Sequence, residues 1–333
     1  MNGIIGDFAG CPERGEANAI KSSIIAACGY YTIDANKWQT KTTQKPQIQI
    51  NFERKVQKMP GSKRPKVSLV RYTFLSECVG RQQDVNILLP YGCYSDAVPA
   101  QRPYKTLWLL HGMSDDRETW LRNSVIETIA RENDLAVVMP DAANSFYTDM
   151  AYGPRYYTYV TGELPRVLRG LLPLSDKKDD NFLAGFSMGG YGAFKIGLTK
   201  PDDFAAIGCF SSAVDVARLA KDAFSRNPDS VQSRDRQAIF LSVFGGEAQK
   251  LSQSSHDIRV LIDQCNAEKK QPPIFMSCGT DDYLYADNVS FAEYVQKKGY
   301  DVTWTDGPGA HDWNVWNRDI VRFVEFLKNK GLL

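Results

Sequence analysis

The 333-residue chain is predicted to fold as an α/β protein, with a mostly parallel sheet, helices on both faces and an antiparallel strand pair at the N-terminal edge. Three observations lead there. From residue 67 onward, short apolar runs of strand length alternate with longer segments of helical period, as in a sheet built from strand–helix–strand units. A content of 43% hydrophobic residues supplies a core of the size such a domain needs. Within the series, Asn181 to Gly192 (NFLAGFSMGGYG) requires a strand to turn abruptly into a helix.

Taken in order, Val67 to Leu75 and Asp84 to Leu89 alternate polar and apolar residues and are closed by Pro90 and Gly92, which predicts the antiparallel pair. Lys105 to Leu110 (KTLWLL) is nearly continuous in apolar residues and reads as a strand buried on both faces. Ser124 to Glu132 is an amphipathic helix, Leu135 to Met139 a second buried strand, and Tyr156 to Leu172 a helix interrupted at Pro165, whose ring and missing N–H break the ladder. Phe182, Leu183 and Ala184 form the next strand, and Met188 opens a helix whose Gly190, Gly192 and Gly197 offer small surfaces to a sheet. Asp203 to Phe210 follows as a strand. Ala213 to about Arg236 is polar and irregular, a loop or cap over the site. Ile274 to Cys278, Asn288 to Lys298, Asp301 to Thr305 and Trp316 to Lys330 complete the series as strand, helix, strand and closing helix.

Residues 1–65 differ from the rest. They are polar, broken by Pro46, Pro60 and Pro65, and carry one helical stretch around Ala17 to Ala27 and one alternating run from Gln47 to Phe52. Residues 1–66 hold 11 Lys and Arg against 5 Asp and Glu. The segment reads as an extension or linker, or as upstream sequence joined to a domain that begins near Met59, with the main domain spanning 66–333. Net charge is +1, which gives no reason to expect nucleic acid or a membrane surface as partner. Asp7, Glu13, Arg14 and Glu16 fall where a secretory signal would need an apolar run, and no stretch approaches eighteen apolar residues, so a cytoplasmic protein is expected. Cys11, Cys28, Cys78, Cys93, Cys209, Cys265 and Cys278 show no metal-ligand spacing and read as buried free thiols.

The chemistry centres on Ser187. The pattern Gly185-x-Ser187-x-Gly189 arises by chance in roughly one chain in ten of this length, so it means little without a strand before it and a helix after it. Given both, the turn strains the serine backbone, lifts the hydroxyl above the sheet edge and leaves the free N–H groups of the helix start facing any oxyanion formed there, Met188 nearest. A serine hydroxyl needs a base and a group to orient that base. Of the three histidines, His311 lies in the glycine-rich loop between the last strand and the last helix, where the chain order Ser, Asp, His places the base. His256 reads as a solvated or capping residue. His111 ends the KTLWLL strand and reads as a loop-shaping hydrogen bonder, with the Met113 N–H after it as the second oxyanion donor. The acid is Asp281 or Asp282, which follow the strand Ile274 to Cys278, and spacing alone leaves the two open.

Five ordered stretches carry a resemblance: LWLLHGMS from Leu107, VVMPDAANSFYTDM from Val137, AGFSMGGYGAFK from Ala184, CGTDDYLY from Cys278 and PGAHDWNVW from Pro308. Together they resemble the tributyrin esterase, or putative-esterase, family of α/β-hydrolases, which includes feruloyl and acetylxylan esterases and S-formylglutathione hydrolase. The resemblance covers the chain from about Val67 and does not extend to residues 1–65. It implies Ser187 as nucleophile, His311 as base, Asp282 as acid, because an aromatic and a leucine follow it, and Met113 and Met188 as oxyanion donors. It implies no metal or organic cofactor and leaves room for a homo-oligomer. His311, Trp313 and Trp316 resemble the ending of the tributyrin and carbohydrate esterase branch, so short acyl esters, acetyl groups on sugars among them, are the expected substrates. Trp120, Tyr147, Tyr152, Trp313 and Trp316 are aromatic candidates for the wall of an acyl or sugar pocket, each with a core position as the competing reading. Hydrolysis of S-formylglutathione or acyl transfer on the same three residues is the alternative, and a non-catalytic binding module is a third reading.

Overall fold

A computed structural model of the chain describes residues 67–90, 103–227, 229–246, 248–267 and 271–333. The expectations for residues 1–65, including the helix near Ala17 and the run at Gln47, lie outside the described residues. The elements are β1 (Val67–Ser76), β2 (Arg81–Pro90), β3 (Thr106–Leu110), α1 (Thr119–Asn123), α2 (Ile126–Glu132), β4 (Ala136–Pro140), α3 (Tyr156–Thr158), α4 (Leu164–Leu171), β5 (Asn181–Phe186), α5 (Met188–Thr199), β6 (Ala206–Phe210), α6 (Val216–Ser225), α7 (Val231–Phe244), α8 (Ala248–Leu251), α9 (Ile258–Ala267), β7 (Ile274–Gly279), α10 (Tyr285–Lys297), β8 (Val302–Gly307) and α11 (Trp313–Asn329).

The eight strands form one sheet in the order β1-β2-β4-β3-β5-β6-β7-β8. β1 and β2 pair antiparallel, as do β2 and β4, and every later pairing is parallel. The predicted edge pair and parallel centre are therefore both present. Strand period sorts the core into two layers. Leu107 and Leu109 of β3 join Trp120, Ile126, Phe323 and Phe326 on one face. Trp108 and Leu110 join Tyr147, Tyr191, Phe194 and Phe291 on the other. Burial on both faces is what makes KTLWLL continuous in apolar residues rather than alternating.

Two expectations are corrected. The helix near Pro165 is not broken at the proline. Tyr159–Glu163 widens into a π turn, with the Leu164 N–H donating to the carbonyl of Tyr159, and Pro165 follows directly after this widening, in the first turn of α4. The stretch from Ala213 is helical, forming α6 and α7. The Asp215 carboxylate caps α6 through the Arg218 N–H at 2.9 Å, and the Ser230 hydroxyl caps α7 through the Ser233 N–H at 3.1 Å. Gly245, at φ +82°, ends α7 in the left-handed conformation. α7 escapes the periodicity reading because only Phe240 and Val243 of it are buried, whereas α6 buries Val216, Leu219, Ala220 and Ala223 as an amphipathic stripe that the polar residues between them obscure. The short helix α1 also precedes the predicted α2. No helix among the described residues is long and apolar enough to cross a membrane.

Candidate active site

Ser187 stands between β5 and α5 with φ 54° and ψ −117°, a backbone conformation that side-chain-bearing residues rarely adopt. Its neighbours impose it. A Cβ on Gly185 would lie 2.5 Å from the Gly189 carbonyl oxygen, and one on Gly189 would lie 2.5 Å from that of Leu110, so only glycine lets strand, helix and the end of β3 meet here. The Ser187 N–H donates to Phe210 at 2.9 Å, and its carbonyl accepts from Tyr191 and Ala213, each at 3.1 Å. The turn is thereby tied to β6 and to the segment after it.

The Ser187 hydroxyl lies 2.9 Å from Nε2 of His311, and Nδ1 of His311 lies 2.8 Å from Oδ2 of Asp282. The structure thus brings together a hydroxyl, an imidazole and a carboxylate separated by 124 and 29 residues along the chain. The Asp282 side chain is fully buried. Burial works to raise its pKa, but the hydrogen bond and charge of His311 outweigh that, and further hydrogen bonds from the Leu284 N–H and the Ser211 hydroxyl help hold it below the usual carboxylate range. Asp281 turns elsewhere. Its N–H donates to the Gly309 carbonyl at 3.0 Å and its carboxylate accepts from the Gly309 N–H at 3.3 Å, fixing the loop that carries His311.

The two expected oxyanion donors lie on α5 and on the loop after β3. Met188 is the first residue of α5, whose opening turn has no intrahelical acceptor. The end of β3 packs on that turn, since Gly189 approaches the carbonyls of both Leu110 and His111, and Met113 follows two residues later in the chain. His111 is buried and shapes the loop as expected. Its Nδ1 contacts the Gly112 carbonyl at 2.7 Å, and Nε2 accepts from the Ala142 N–H at 2.9 Å. Burial lowers its pKa, so the ring is neutral. The Tyr147 hydroxyl, deeply buried, donates to the His111 carbonyl at 3.0 Å. His256 is neither solvated nor the cap of α9. It packs edge-on to Phe244, and Nδ1 lies 3.3 Å from the ammonium of Lys195. Burial and that charge bring its pKa to about 4.

The aromatic candidates divide. Trp120 is 1% exposed and belongs to the core, wedged against Phe186, Phe210 and Trp313 with its indole N–H donating to Leu110 at 3.0 Å. It supports β3 from below and offers no face to a ligand, which corrects its reading as a pocket wall. Trp316 is buried too. It stacks on Phe186 and sets its ring edge to face against the His311 imidazole at 5.0 Å, so it touches the base rather than open space. Trp313 is half-buried in the same cluster. Tyr152 is exposed, held by its N–H on the Ser242 carbonyl at the end of α7. Two residues near the triad escape the sequence reading. Ser211, buried at φ +43°, reaches Asp282 from the end of β6. Tyr283 packs its ring on His311 at 4.8 Å. A serine pair directly after a predicted strand was the available signal for the first, and nothing local marks the second.

Comparison with known proteins places the chain in a family. The model of a family described as "Putative esterase" matches residues 76–327. An acetyl esterase of Caldicellulosiruptor saccharolyticus is 32% identical over 228 residues, which cover 67% of this chain and 83% of that one. Among solved structures, a substrate-bound fluorophosphonate-binding serine hydrolase of Staphylococcus aureus superposes with a TM-score of 0.69 at 34% identity, covering 79% of this chain and 98% of the other. An S-formylglutathione hydrolase of the same organism gives 0.68 at 34% identity, covering 78% and 98%.

Proposed function

Because the chain belongs to the putative-esterase family and is a carboxylic ester hydrolase, we propose that it is a serine esterase acting on short-chain acyl esters, acetyl esters of carbohydrates among them, through an acyl-enzyme on Ser187. The observation that carries this reading is the continuous hydrogen-bond path from the Ser187 hydroxyl through His311 to Asp282. In the first half-reaction His311 Nε2 takes the hydroxyl proton as Oγ attacks the ester carbonyl. The imidazolium then protonates the departing alcohol. In the second half-reaction the same nitrogen takes a proton from water as the water oxygen attacks the acyl carbonyl, and it returns that proton to Ser187 Oγ as the acyl–oxygen bond breaks and the acid leaves. Asp282 keeps Nδ1 protonated and stabilises the imidazolium. The N–H groups of Met113 and Met188 receive the oxyanion in both steps. The small acyl group is supported by the acetyl esterase relative and by the resemblance of His311, Trp313 and Trp316 to the ending of the tributyrin and carbohydrate esterase branch.

A second reading, S-formylglutathione hydrolysis on the same residues, is favoured by the 34% identical solved structure of that activity. We place either reaction in the cytoplasm. Neither reading calls for nucleic acid or a membrane. Rates on p-nitrophenyl esters of increasing chain length, acetylated xylan oligomers and S-formylglutathione separate the two. A short-acyl oxygen-ester preference is expected. Turnover of the thioester alone would transfer the assignment to the second reading, and wild-type turnover by Ser187→Ala would end both.

A further inference from the structure

The Tyr283 ring that packs on His311 also lines a cleft of about 260 Å³, whose other walls are Arg218, Leu219, Asp222, Arg226 and Arg236. The cleft is assembled from α6, the turn after it, α7 and the turn after β7. Three guanidinium groups around so small a space repel one another unless anions answer them. Arg218 is answered, with Nη1 2.7 Å from Asp222 and Nη2 paired with Asp287. Arg226 and Arg236 have no carboxylate within ion-pair distance among the described residues. Arg236 is half-buried. Desolvation raises the Tyr283 phenol pKa, and the charge and hydrogen bond of Arg236 act against that rise, so Arg236 sits at the hydroxyl of the residue that covers the base.

We propose that Arg226 and Arg236, with the Tyr283 hydroxyl, form a subsite for a carboxylate carried by the ester substrate, so that the favoured substrates are anionic. This deepens the esterase reading and rests on it, since the subsite matters only if the scissile carbonyl sits at Ser187. The cleft reaches the reaction centre through a single ring: Tyr283 touches His311, and His311 touches Ser187. Two forked, uncompensated donors suit the two oxygens of a carboxylate. A doubly charged phosphate would face Asp222 across the same cleft.

The test uses the full chain and three esters: p-nitrophenyl acetate, neutral; mono-p-nitrophenyl glutarate, with the carboxylate on the acyl side; and 4-acetoxybenzoate, with it on the leaving side. The double variant Arg226→Gln/Arg236→Gln is expected to raise KM for one of the anionic esters about tenfold, leaving kcat nearly unchanged and p-nitrophenyl acetate within twofold of wild type. Which ester moves tells which side of the substrate carries the charge. Added salt should shrink the wild-type preference. As a check independent of variant folding, free glutarate should inhibit wild-type hydrolysis of p-nitrophenyl acetate at about tenfold lower concentration than glutaramide. Equal inhibition by the two, or an equal change on all three esters in the double variant, would overturn the subsite. The esterase reading is tested apart from it by Ser187→Ala on p-nitrophenyl acetate.

Discussion

The floor and the cover of this site are built in opposite ways. Beneath Ser187, every residue of α5 from Met188 to Leu198 is buried, and backbone meets backbone at Gly185 and Gly189 with no room for a methyl group. Beside it, α7 buries only Phe240 and Val243 and leaves Val231 and Leu241 exposed, while α6, the turn after it and α7 line a cleft with Arg218, Arg226 and Arg236. A close-packed floor holds the nucleophile in a strained turn and fixes the type of reaction. A sparsely packed, charged cover tolerates change, and so it is the part able to set which ester is accepted.

The contrast is broken most directly at the floor. Ser187→Ala should reduce kcat by roughly 10⁴–10⁶-fold with thermal stability intact, measured on p-nitrophenyl acetate beside a melting curve. Asp282→Asn should cost about 10⁴-fold in kcat, because the amide no longer holds Nδ1 protonated, whereas Asp281→Asn should stay within severalfold of wild type. Comparable losses in both would mean that the loop, not the pair with His311, carries the effect. Matched lesions then sharpen the comparison. Gly189→Ala forces a Cβ against the Leu110 carbonyl and should destabilise by about 2–4 kcal/mol, while Leu241→Ser on the cover should stay within about 0.5 kcal/mol, both read by urea denaturation.

A further effect, smaller than that of Gly189→Ala, is a titration at the back of α5. Lys195 is buried, donates to Thr148 at 2.5 Å, and has its pKa lowered to about 8 by desolvation, with Asp149 opposing. Between about pH 8 and the ordinary lysine range the unfolded chain binds more protons than the fold does, so wild-type stability rises with pH there. Lys195→Met should lack that rise. A difference of roughly 1–3 kcal/mol across the window is expected from paired denaturation curves. A flat difference would show that the ammonium is not desolvated.

Much of this was legible in the sequence, for reasons that differ by residue. Strand period and the flanking glycines of Ser187 are local backbone requirements, so the sheet, the turn and the place of His311 could be read from short windows. The choice between Asp281 and Asp282 could not be read that way. The turn after β7 directs adjacent side chains to different partners, Gly309 for one and His311 for the other. Trp120 and Trp316 were ambiguous because an indole suits a pocket wall and a core equally well, and only the position of Phe186 between them and the sheet sends both inward. The cap of α7, Ser230, was visible but had no apolar stripe behind it, whereas Asp215 precedes a stripe of Val216, Leu219, Ala220 and Ala223 that is short and mostly of small residues.

The sequence by itself determined the sheet, the strained serine turn and a set of residues able to form a proton relay, because those depend on neighbours a few positions away. Only the tertiary structure decided which carboxylate completes the relay, which aromatic rings are structural, and that Arg226 and Arg236 share a cleft with Tyr283. Such contacts depend on strand order and loop direction, which bring together side chains that lie dozens of residues apart along the chain.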